Sequence, residues 1–182
     1  MNGVWVFVCG PSGAGKDSVM AAARALLADR ADIVFARRMV TRPPHAGSDH
    51  DQVSGGEFQT LLGSGSLCWH WWAHGFVYGI DSRYAQDVLS GCLVVVNGSR
   101  AHVSNLPVSL QLRVVQISAS PQQLAQRMTQ RARDSADAVT RRLARNADFA
   151  DIAADCHIVN DTTLAVAARQ LADYMTTLAV TP

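Results

Sequence analysis

Residues 10–18 read GPSGAGKDS; they follow a short apolar run, Val4–Cys9, and lead into a segment of good helix formers, VMAAARALLA. A strand, a glycine-rich turn ending in Gly-Lys and a helix form the context in which backbone N–H groups converge on phosphate oxygens. Gly10, Gly13 and Gly15 allow the close approach, and Pro11, Ser12 and Ala14 complete the loop. The helix N-terminus adds its positive end, and Lys16 brings a point charge for the outer phosphates. The next residue in such loops is ordinarily Ser or Thr, whose hydroxyl sits on the magnesium ion of a bound nucleotide. Here it is Asp17, with Ser18 after it.

A carboxylate in the first turn of a helix is favourable by about 0.3 to 1 kcal/mol against the macrodipole. Facing nucleotide phosphates, the same charge is repulsive unless a cation lies between them. Loops of this kind usually share the ion with a strand-end Asp. The matching strand, LVVVNGSR at 93–100, has no acid. Ser18 cannot stand in for position 17, because adjacent helical residues point about 100° apart. Asp17 therefore reads as a Mg2+ ligand, direct or through water.

Outward from the loop, strand-like runs at Val4–Cys9, Ile33–Val40, Cys92–Val96, Leu112–Ile117 and His157–Val159 alternate with helical candidates at Lys16–Leu27, Ser82–Leu89, Pro121–Arg131, Ala138–Phe149 and Leu164–Leu178. This alternation predicts an α/β fold of three layers, a parallel sheet with helices on both faces. It fails between Thr41 and Gly79, where Pro43, Pro44, several glycines and a dense aromatic group predict an inserted substrate-binding lobe. RARDSAD at 131–137 predicts a short lid. With 182 residues, 48% of them hydrophobic and 17% charged, the chain is expected to form one domain around a single core.

A formal net charge of +1 gives no broad footprint for nucleic acid or an anionic membrane, so the expected partners are small molecules. Cys9, Cys68, Cys92 and Cys156 are scattered without C-x-x-C spacing, which predicts reduced thiols. The opening MNGVWVFVCG has no basic n-region and too short an apolar run for a signal peptide. A cytoplasmic location is the expectation, and a homodimer is compatible with it.

The loop, TRP at 41–43 with Gly47, EF at 57–58, YG at 78–79, RL at 142–143 and ND at 160–161 together resemble the guanylate kinase family over nearly the whole chain. Within it, GKDS at 15–18, TRP, HWWAHGFVYGI at 70–80 and VVVNGSRAH at 94–102 are similar to the ribose 1,5-bisphosphate phosphokinases of phosphonate breakdown. That resemblance implies a P-loop kinase fold, ATP as co-substrate with Mg2+, and ribose 1,5-bisphosphate as acceptor, giving 5-phosphoribosyl 1-diphosphate.

The departures from guanylate kinase point the same way. The family's guanine-reading Glu falls on or near Trp69, its Ser on Ile80 and its second strand-end Asp on Asn97. Guanine N–H donors would meet apolar or amide groups there, and a site that leaves such donors unpaired rejects them. Around the insertion stand Arg38, Arg42, His45, His50, His70, His74, Arg100 and His102, with Tyr78 as a hydroxyl donor. Of these, Arg38, Arg42, His50, His74, Tyr78, Asn97 and Arg100 are the expected acceptor-binding residues, and the LCWHWW group is expected to be packing and pocket wall. The resemblance makes Lys16, Arg131, Arg133 and Arg142 the charges on the transferring phosphoryl group and puts Asn160 against adenine. A nucleoside monophosphate kinase of guanylate kinase type, or an inactive module of that fold, are the alternatives.

Overall fold

The computed structural model describes residues 3–44, 49–107, 111–130 and 153–180. Among them, nine strands form two sheets. In chain order the elements are β1 Val4–Cys9, α1 Lys16–Leu26, β2 Ile33–Phe35, β3 Arg38–Val40, β4 His50–Gln52, α2 Gly55–Gly63, β5 Leu67–Ala73, β6 Phe76–Asp81, α3 Arg83–Leu89, β7 Leu93–Asn97, α4 Arg100–Val103, β8 Leu112–Ser118, α5 Pro121–Gln130, β9 Cys156–Val159 and α6 Leu164–Val180.

The larger sheet has the order β2-β7-β1-β8-β9, parallel throughout. Being central, β1 is covered on both faces, which is why VWVFVC shows no polar alternation. Val6 and Val8 join Val19, Ala23, Leu171 and Met175 in one core under α1 and α6. Trp5, Phe7 and Cys9 point the other way, into a second core with Val40, Trp71, Tyr78 and Ile80. The predicted layered α/β sheet is present, and its second face carries the inserted lobe.

That lobe corrects two expectations. Ile33–Val40 is not one strand: Ala36 N makes the last contact with the large sheet at Val95 O, and Arg37 N turns to the Tyr84 hydroxyl at 2.9 Å. β2 and β3 consequently lie in different sheets. Nor is the stretch from Thr41 to Gly79 irregular. It carries β4, α2, β5 and most of β6, which with β3 build a mixed sheet of order β4-β3-β6-β5. α4 is a further short helix that the periodicity does not predict.

The motif residues of the lobe have packing reasons. Ser54 and Glu57 close a capping box on α2. Phe58 then packs on Gly79, where a Cβ would come within 3.0 Å of its ring. The Thr41 hydroxyl accepts from Val77 N at 3.0 Å, joining β3 to β6. LCWHWW obeys strand alternation. Trp69 meets Trp5 and Phe7 edge-on and Trp71 stacks on Tyr78 at 5.5 Å, whereas Trp72 is 71% exposed.

Candidate active site

The phosphate loop is held from below and behind. Gly10 has φ 146°, and a Cβ there would lie 1.9 Å from the Ile117 carbonyl oxygen, so the strand end has room only for glycine. Gly13 and Gly15 also have positive φ, and Gly15 caps α1. Lys16 Nζ donates to the Gly10 and Pro11 carbonyls at 2.8 and 3.0 Å, curling over the loop. Burial pulls the Lys16 ammonium down to about 8, against the opposing pull of Asp17. The charge is desolvated and, among the described residues, has no carboxylate within ion-pair distance, a state a phosphate would relieve. Ser18 points to the exposed side of α1. Cys9 lies beneath, its thiol pushed up to about 12 by burial.

Asn160, on the ND pair after β9, donates from Nδ2 to the Ala14 carbonyl at 2.9 Å. Arg127 on α5 donates to the Asn160 carbonyl at 2.8 Å and reaches Ala14 O at 3.5 Å. The neighbouring Asp161 carboxylate accepts from Ser120 N at 2.7 Å. The amide nitrogen of Asn160 thus braces the loop, which leaves its oxygen for a nucleotide contact.

Asp17 is turned toward the lobe. Its Oδ1 accepts from Asn97 Nδ2, at the end of β7, and from Arg38 Nη2 at 3.1 Å. Among the described residues Oδ2 accepts from none. A shallow cleft opens beside this cluster, lined in part by Asp17, Arg24, Phe35, Arg38, Asp49 and Asn97. No group of three or more His, Cys, Asp or Glu able to hold a metal occurs among the described residues. One carboxylate oxygen next to a phosphate loop fits Mg2+, which keeps several waters and takes one or two carboxylates plus substrate phosphates.

On the lobe side, His50 is 3% exposed and its Nε2 sits 3.0 Å from the Arg42 carbonyl, so that nitrogen carries the proton and braces the Arg42 backbone. Arg42 lies over the Phe76 ring at 6.0 Å and Arg38 over Tyr78 at 5.8 Å. His102 stacks on Trp71 at 4.9 Å, and burial together with His70 lowers its pKa, keeping it neutral at pH 7. Burial also lowers the pKa of Arg100, at the start of α4. Nε of Arg38, Nε of Arg42, the Trp69 indole nitrogen and His102 Nε2 are buried with no hydrogen-bond partner among the described residues. Orphaned polar groups of this kind cost about 1 to 3 kcal/mol each, and the two guanidinium Nε–H donors suit an acceptor-rich ligand.

The structure therefore brings Lys16, Asp17, Arg38 and Asn97 together, with His50 on β4, Tyr78 on β6 and Arg42 two residues past the end of β3. His74 lies in the tight turn between β5 and β6, with φ 54° ahead of Gly75 at φ 79°. Arg131, Arg133, Arg142, His45 and Gly47 lie outside the described residues. Sequence reading missed Arg127, whose signal was its place on the α5 helix that Pro121 opens. It also missed the side-chain link from Asp17 to Arg38.

No protein-family model matches the chain. Among curated proteins it is 43% identical over 162 residues to ribose 1,5-bisphosphate phosphokinase PhnN of Acidiphilium cryptum, covering 89% of this chain and 86% of that one. It is 40% identical over 167 residues to the protein of the same name from Bradyrhizobium diazoefficiens, covering 91% and 84%. Among solved structures, guanylate kinase from Anaplasma phagocytophilum superposes with a TM-score of 0.75 at 19% identity, over 99% of this chain and 88% of that one. The last likeness shows the fold, and the first two, with the loop and lobe described above, show that the chain belongs to the ribose 1,5-bisphosphate phosphokinase family.

Proposed function

We propose that this protein transfers the γ-phosphoryl group of ATP to the 1-phosphate of ribose 1,5-bisphosphate, giving ADP and 5-phosphoribosyl 1-diphosphate. An oxygen of the 1-phosphate attacks the γ-phosphorus while the bond from that phosphorus to the bridging β,γ-oxygen breaks. A phosphate acceptor has a second pKa of about 6, so it is ionised near neutral pH and no general base is needed. Positioning and charge neutralisation carry the catalysis. Lys16 draws in the outer phosphates, and Arg38, Arg42, His50, His74, Tyr78, Asn97 and Arg100 make up the acceptor side. Arg131, Arg133 and Arg142 supply charge to the transferring group, on the strength of their sequence positions. Asn160 meets adenine through its free oxygen, and Asp17 would hold Mg2+, which neutralises charge on the phosphates when bound. The reading needs no nucleic acid or membrane, is compatible with a homodimer and assigns the enzyme to the cytoplasm; among the described residues no helix is long and apolar enough to cross a membrane.

One observation supports this acceptor over a nucleotide. At two of the positions where guanylate kinase reads its base, Trp69 is packed edge-on against Trp5, Phe7 and His102, and Ile80 is fully buried. Apolar packing occupies these two positions, while Nε of Arg38 and Nε of Arg42 are buried with no hydrogen-bond partner among the described residues. A coupled assay with ATP and magnesium, comparing ribose 1,5-bisphosphate with GMP, tests the reading; comparable efficiency with GMP would replace it with a nucleoside monophosphate kinase.

A further inference from the structure

The side chain of Asp17 touches both halves of the cleft. It belongs to the first turn of α1, one residue after Lys16, yet it does not cap its own helix. Its Oδ1 accepts from Asn97 Nδ2 on the large sheet and from Arg38 Nη2 on the lobe sheet. Arg38 closes the triangle by reaching the Asn97 carbonyl at 3.5 Å through Nη1. The Arg38 side chain is only 11% exposed, against 33% for Asp17. A guanidinium this deep needs a counter-charge, and among the described residues Asp17 is the one carboxylate within ion-pair distance of it. The nearby Asp49 is taken by Arg24 and Arg37. With Nη2 on Asp17, the guanidinium plane of Arg38 is set, and its Nε remains buried and unpaired.

We infer that Asp17 is a positioning residue for the acceptor: its carboxylate aims Arg38 and fixes Asn97, so that the phosphate loop sets the geometry of the lobe. This rests on the reading of Arg38 as a ligand of the acceptor phosphate. The role is separate from any contact of Asp17 with a metal, because it uses Oδ1. It also gives a reason for the carboxylate in the loop: a Ser or Thr at position 17 is too short to hold Arg38.

The test is calorimetric binding of ribose 1,5-bisphosphate to the full chain in EDTA, with no nucleotide present. Asp17→Ala is expected to weaken binding about tenfold or more, the scale of a lost hydrogen bond to a charged group. Asp17→Asn keeps an acceptor oxygen for both donors but not the counter-charge, and is expected to recover part of that loss. In an Arg38→Ala background the Asp17→Ala effect is expected to shrink to the small part that Asn97 carries, since Asp17 and Arg38 act as one unit. Asp17→Ser restores the hydroxyl usual after Gly-Lys while breaking the tie. It is expected to raise the acceptor KM with its magnesium dependence intact, and it serves if Asp17→Ala does not fold. Unchanged binding of Asp17→Ala in EDTA, or additive effects in the double variant, would overturn the inference while leaving the proposed reaction standing. Failure of the wild-type protein to bind the sugar bisphosphate at all would instead remove the proposed reaction, and the inference with it.

Discussion

The side-chain amide of Asn160 donates to the carbonyl of Ala14 at 2.9 Å, so the strand-end ND pair holds the phosphate loop from a point 146 residues away. A methyl group at position 15 would sit 2.6 Å from that amide nitrogen, on a residue whose φ is +84°. Gly15→Ala is therefore expected to lower kcat/KM for ATP by about a hundredfold, the scale of a misplaced reacting group. Asn160→Ala, which leaves the Ala14 carbonyl only the long 3.5 Å contact from Arg127, is expected to cost about 1 kcal/mol of stability. Steady-state kinetics and urea unfolding check the pair; a fully active Gly15→Ala protein would show that this contact does not shape the loop.

The pH profile should report Lys16. Its pKa is lowered to about 8 by burial, so the ammonium loses its proton as pH rises through that value. The charged form attracts phosphate, and kcat/KM reports the free enzyme. This parameter for ATP is expected to hold below pH 8 and to fall above it. Lys16→Arg, whose side chain stays charged beyond pH 12, should remove that limb even if it lowers the plateau. Lys16→Ala should abolish transfer at every pH. An unchanged limb in Lys16→Arg would assign it to another group.

Acceptor choice should separate from donor binding. Arg42, with its Nε buried and unpaired and its backbone braced by His50, is expected to act on the acceptor alone. Arg42→Ala should raise the acceptor KM about tenfold or more and change that for ATP by less than about twofold. GMP should remain a poor substrate throughout. Equal rises in both KM values would place Arg42 outside the acceptor site.

Magnesium dependence addresses the free oxygen of Asp17. Asp17→Asn keeps the shape and removes the charge, and is expected to raise the magnesium concentration for half-maximal activity by about tenfold. A carboxylate that served the helix dipole alone would contribute only about 0.3 to 1 kcal/mol, visible in the melting temperature. An unchanged magnesium titration with a lowered melting temperature is the result that excludes metal binding.

How much of this could be read in the chain depends on the distance over which each feature is encoded. β1, the loop and α1 are local, their apolar run, glycines and helix formers being contiguous, and they appear where periodicity puts them. The break inside Ile33–Val40 is marked by the polar pair Arg37 and Arg38, but the apolar residues on either side hide it. Once Arg37 is seen ion-paired to Asp49 and Asp51 at the surface, the turn has a cause. The lobe sheet was illegible because β3 and β4 have three residues each, too few to show a period, and because tryptophans occupy both faces of β5. The partners of Asp17 lie 21 and 80 positions away and leave no local trace.

Every strand of the lobe sheet comes from one uninterrupted run, Arg38 to Asp81, which leaves and re-enters the core at neighbouring points joined by the Tyr84 hydroxyl to Arg37. Such an arrangement behaves as a cassette. Its exchange would replace most of the proposed acceptor side while leaving in place the loop, its lysine and the Asn160 brace, which all belong to the core. An incoming segment would have to satisfy two conditions only: an apolar face to cover Trp5 and Phe7, and a first strand whose side chain suits the residue after Gly-Lys. On this scaffold a change of acceptor would then call for replacing a segment and retuning position 17.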